Sequence, residues 1–200
     1  MALSRTLGTL VVGIALGAAS CAEAATERSS TVPPPSGSVA ERPPLLPASA
    51  LPRMTSAASP ADLGLIAAEV THPDELSAVL TEAGFVGARQ RSFSGGTGPF
   101  TRVIARGMRF ESAAGAQAYV SWLGERASTE IVTAERISPA AVDDDVVVFH
   151  HRPDGCCHND VPVFLAGWTS GSSVLYLYAG GRRATVPAFM RLIASYESAA

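Results

Sequence analysis

The sequence predicts an α+β domain over residues 61–200: an antiparallel sheet of about five to six strands, with helices packed mainly on one face. Two observations carry this. Paired apolar runs, each broken by a glycine-rich turn, occur at 85–110 and 161–179, and each pair is followed by a stretch with helical spacing and a capping residue at its start. A third observation sets the boundary. Eight of the fourteen prolines fall between Pro33 and Pro60, and no aromatic residue accompanies them, so residues 21–60 read as a disordered tether.

Within the domain, Leu63, Ile66 and Val70 predict a short helix or turn after Pro60. Pro73, Asp74 and Glu75 suit a helix's first turn, with Thr71 or His72 at the cap. Leu76, Val79, Leu80 and Ala83 continue that helix to a left-handed stop at Gly84. Phe85–Phe93 and Phe100–Phe110 predict a hairpin about Ser94–Pro99. Ser112 opens a helix with Ala116, Tyr119, Val120 and Leu123 on one stripe, and Trp122 beside that stripe reads as core. Strands are expected at Ser128–Ile137, Val146–His151, Val161–Thr169 and Ser173–Ala179. Thr185 caps a final helix that turns Val186, Phe189, Ile193 and Tyr196 inward.

Ahead of the tether, residues 1–20 have the anatomy of an export signal: Arg5, then an apolar run from Leu7 to Leu16, then small residues. The run is too short to span a bilayer. Ala18-Ala19-Ser20-Cys21 resembles the lipobox of bacterial lipoproteins, with alanine where the family usually has leucine. The resemblance implies that Cys21 is acylated and becomes the amino terminus of a protein held on the outer face of the cell membrane. Cleavage after Ala24, releasing a secreted protein, and an uncleaved anchor are the competing readings. With the spacer and the hairpin–helix layout, the whole chain resembles the cell-envelope lipoproteins of high-GC Gram-positive bacteria. That resemblance implies a binding or sensing domain and assigns no functional residue within it.

Charge narrows the partners. The chain carries a formal charge of −3, and every basic residue is an arginine. This is no electrostatic footprint for nucleic acid. Arg89 and Arg91, two residues apart on a predicted strand, share one face and form a candidate anion-binding pair.

The remaining chemistry lies between residues 150 and 158. His150, His151, Cys156, Cys157 and His158 gather three of the four histidines and two of the three cysteines. In an oxidising envelope Cys156 and Cys157 are candidates for a strained vicinal disulfide. The same residues offer the nitrogen and sulfur ligands that zinc or copper accepts, although strand alternation sends His150 and His151 to opposite faces. No cofactor is expected on the first of these readings. No G-x-S-x-G or H-E-x-x-H pattern occurs. The expectation is a non-enzymatic, membrane-tethered domain that binds a small ligand, a lipid or an envelope protein. The alternatives are a metal or redox protein built on the cysteine–histidine cluster and a secreted hydrolase.

Overall fold

The computed structural model of the chain describes residues 42–131, 134–139, 145–152 and 161–200. The signal segment, Cys21, Cys156, Cys157 and His158 lie outside them.

Among the described residues, seven strands form one antiparallel sheet, with four α-helices in the order β1 (Thr55–Ala61), α1 (Leu63–Ala67), α2 (Pro73–Glu82), β2 (Phe85–Ser94), β3 (Arg102–Phe110), α3 (Ala113–Glu130), β4 (Glu135–Ile137), β5 (Val147–His151), β6 (Val163–Ser170), β7 (Ser173–Gly180) and α4 (Val186–Glu197). Across the sheet the order is β1-β2-β3-β7-β6-β5-β4, so the two hairpins meet where β3 pairs with β7. Seven strands exceed the five to six expected. The extra one is β1.

Strand alternation divides the core in two. Met108, Phe110, Leu165, Val174 and Tyr176 face α1, α2 and α3. Val103, Ala105, Phe164, Leu175 and Leu177 face α4, which contributes Phe189, Leu192, Ile193 and Tyr196. Three helices therefore lie on one face, as patterning predicts, but the opposite face is covered as well. Central strands that are apolar on both sides require this double cover. α3 seats itself at Gly167, where a Cβ would overlap the Leu123 side chain.

Part of that second cover comes from the expected tether. Leu46 is fully buried in the α4-side core, and residues 43–44 cross β3 at Gly107, where any side chain would overlap the Pro44 carbonyl. Arg91 Nη1 donates to the Leu46 carbonyl at 2.7 Å, and the Tyr196 hydroxyl donates to that of Pro44 at 3.1 Å. Burial raises the pKa of Tyr196 well above the ordinary tyrosine range, keeping it a donor. β1 then pairs along β2 from Thr55↔Ser94 to Ala61↔Ala88. The domain thus includes residues 42–60, a correction to the boundary at 61. Small residues and Pro60 hide this strand from a hydrophobicity pattern, yet an exposed edge strand needs little more than backbone pairing.

The other revision concerns residues 128–137. The stripe Ala116, Val120, Leu123, Ala127 and Glu130 keeps helical spacing to the end of α3, leaving only Glu135–Ile137 as a strand.

On the α3 side, Gln90, Arg106 and Tyr176 form one row across β2, β3 and β7. Arg106 is 1% exposed. Its Nη2 donates to Glu69 and Gln90, each at 2.9 Å, its guanidinium lies 5.3 Å from the Tyr176 ring centroid, and its Nε meets no acceptor. Glu69 follows α1, so this buried cation holds the α1–α2 connection onto the sheet.

Two outcomes follow for stability. Leu46→Ala should cost about 2–5 kcal/mol in urea unfolding, the usual range for a fully buried leucine; a cost near zero would mean that residues 42–46 are not part of the core. Arg106→Met should destabilise less than Glu69→Ala, because only the latter leaves a buried guanidinium without its carboxylate. The reverse order of urea midpoints would refute the tie.

Candidate functional site: the groove between α2 and α3

α2 and α3 lie side by side, in contact at both ends and apart between. At one end Gly115 lets α3 touch α2 directly, since a Cβ there would overlap the Ala83 carbonyl. At the other, Arg126 donates from Nη2 at 2.6 Å and from Nε at 3.2 Å to Glu75 Oε1. Beyond that pair, Glu130 caps α2 from a distance. Its carboxylate accepts from the His72 backbone N–H at 3.1 Å and from His72 Nδ1 at 2.9 Å, and its carbonyl accepts from Thr71 N at 3.0 Å. A carboxylate at a helix amino terminus satisfies orphan amides and opposes the helix dipole.

Between these ties opens a groove of about 740 Å³. Ala114, Ala118, Ser121, Trp122 and Glu125 of α3 form one wall, and Val79, Glu82 and Ala83 of α2 the other. At 1.5 Å per residue, Ala114 to Glu125 spans about 16 Å. Trp122, expected in the core, is only partly buried. It stacks on Tyr119 with centroids 6.0 Å apart and turns its remaining surface to the groove. Its buried indole N–H meets no acceptor in hydrogen-bond geometry. The Glu75 carboxyl beside it is nonetheless held below the usual range, chiefly by the Arg126 hydrogen bond and charge, with smaller contributions from Trp122 and His72.

The rim is acidic. Glu82, Glu111 and Glu125 are exposed and form no ion pair among the described residues, and Glu111 folds over Gly84 at the Ala83 end. Glu125 lies near enough to Arg126 to favour its charge. Chemically the groove is an apolar trough with carboxylates along its edges.

His72, Glu75 and Glu130 also bring potential metal-ligand atoms within 4.8 Å of one another. Three features oppose a cation there: the Arg126 guanidinium, the positive end of α2, and the engagement of Glu130 by His72. The arrangement is a cap. Sequence reading placed His72 at the helix start but had no means of pairing it with a glutamate 58 residues away.

The residues singled out from sequence fall elsewhere. Arg89 and Arg91 sit on the α4 face of β2, where Arg91 is spent on the Leu46 carbonyl. His150 and His151 point to opposite faces of β5. His150 lies flat on Phe164, with centroids 4.2 Å apart and planes 2° from parallel. Burial, then the Arg152 and His151 charges, depress its pKa below the ordinary histidine value. The folded state therefore takes up this proton less readily than the unfolded one. Its contribution to stability is present above the ordinary histidine range and is lost as pH falls below about 6.5. His150→Phe, which keeps the stacked ring, should flatten the fall in urea-measured stability between about pH 7 and pH 5 relative to the native chain; an unchanged slope would refute the assignment.

No family profile matches the chain, and no curated protein matches it. In fold it is similar to the extracellular domain of PknH from Mycobacterium tuberculosis, with a TM-score of 0.50 and 12% sequence identity over 76% of this chain and 88% of that one. At this identity the likeness establishes the α+β fold.

Proposed function

We propose that the chain is an exported, membrane-tethered, non-enzymatic binding domain whose binding surface is the α2–α3 groove. The groove itself carries the reading. It is elongated, apolar along its walls, contains a partly exposed tryptophan, and is held open by ties at both ends, so no reorganisation is needed to fill it. Export draws support from the apolar segment before Cys21 and from the neighbouring structure being an extracellular domain. Attachment draws support from the lipobox-like residues Ala18–Cys21.

The two halves of the reading are tested separately. In cells fed an alkyne analogue of palmitate, the native protein should take up the label and sediment with membranes. Cys21→Ser should lose the label and leave the membrane fraction. Equal labelling of both would end the anchor reading.

For the groove, the full chain carrying 5-fluorotryptophan gives resonances for Trp122 and Trp168, of which only the first lines the groove. In titrations with soluble amphiphiles and amphipathic peptides of either charge, at least one should move the Trp122 signal and leave Trp168 in place. Ala118→Phe, which fills the trough from an exposed helical position, should abolish that shift. A panel that never moves Trp122, or undiminished binding by the filled variant, would overturn the groove as the site.

A further inference from the structure

Resting on that reading of the groove, we infer that its occupant is a basic amphipathic helix presented by a partner protein. Shape argues for a peptide segment. A small amphiphile is best held in a pocket that encloses most of its surface, whereas this trough is open to solvent along its length and bounded by a helix on each side. Its span of about 16 Å accommodates three helical turns, the usual footprint when an amphipathic helix lays its apolar face into a groove.

Charge argues for a basic one. Glu82 and Glu111 stand near the Ala83 end and Glu125 near the Arg126 end, none in an ion pair among the described residues. Arg126, the cation at the margin, is already engaged by Glu75. An apolar stripe flanked by lysine or arginine would set leucine-like side chains against Val79, Ala118 and Trp122 while its cations meet the rim. An acidic helix would bring carboxylate against carboxylate at both ends, a repulsion that selects against the wrong partner.

The probe is a synthetic 14-residue helix of leucine and lysine, compared with the same peptide carrying glutamate at every lysine position. It is titrated into the full chain labelled with 5-fluorotryptophan. The leucine–lysine peptide should shift Trp122 and not Trp168, and its affinity should fall as salt rises from about 50 to 300 mM. The triple variant Glu82→Gln, Glu111→Gln, Glu125→Gln should bind it about tenfold more weakly. These three side chains are exposed, and an unchanged Trp168 resonance confirms that the variant is folded. Equal binding of the leucine–glutamate peptide, or an unaltered affinity in the triple variant, would overturn the charge inference and leave the groove as a binding site. A shift produced by dodecyltrimethylammonium but by neither peptide would overturn the helix and point to a small cationic amphiphile. If no probe moves Trp122, the groove reading fails together with the inference.

Discussion

The buried cation at the centre of the sheet sets much of what surrounds it. Arg106 sits on the strand that joins the two halves of the sheet, with almost no access to water. A guanidinium in that position needs a carboxylate, an acceptor and a polarisable face, and it finds them in Glu69, Gln90 and the Tyr176 ring. Only Glu69 comes from outside the sheet, so satisfying the charge fixes the path of the chain between α1 and α2. The tyrosines nearby respond to the same low-dielectric surroundings: burial pushes the Tyr119 hydroxyl up to about 12, although the Arg106 charge pulls the other way.

From that fixed point the groove follows. Glu69 holds the start of the α1–α2 connection, Glu130 takes its end through Thr71 and His72, and Arg126 takes Glu75 one turn later. α2 has no freedom left at its amino end. Its carboxyl end is placed by Gly115, which lets α3 reach the Ala83 backbone. Between those ties the α3 wall carries Ala114, Ala118 and Ser121, side chains too short to fill the space facing Val79 and Glu82.

Much of the fold was legible in the sequence because it rests on local signals. Asp62, Ser112 and Thr185 all accept the helix-start hydrogen bonds that such residues are chosen for. Gly84, Gly95, Gly96 and Gly171 all take the left-handed conformation that turns require. β1 was not legible, because an edge strand of serine, alanine and proline carries no apolar alternation. Nor was the strap, because Leu46 gains its burial from strands far away in sequence. The site was largely hidden for the same reason. Its charges and its tryptophan lie on α2, on α3 and just ahead of α3, segments brought together only by the fold, and Trp122 on its own looks like any core residue. The chemically conspicuous His150 instead proved to be a packed ring.

The strap formed by residues 42–46 also separates the two faces of the sheet. Residues 42–46 run over the α4 face, beneath the Tyr196 hydroxyl and across Gly107, while α2 and α3 lie on the other side of the sheet. The described chain thus enters the fold on the face opposite the groove, and the sheet lies between the strap and the trough. A partner docking against α2 and α3 would meet the trough without displacing the segment that completes the core on the other face.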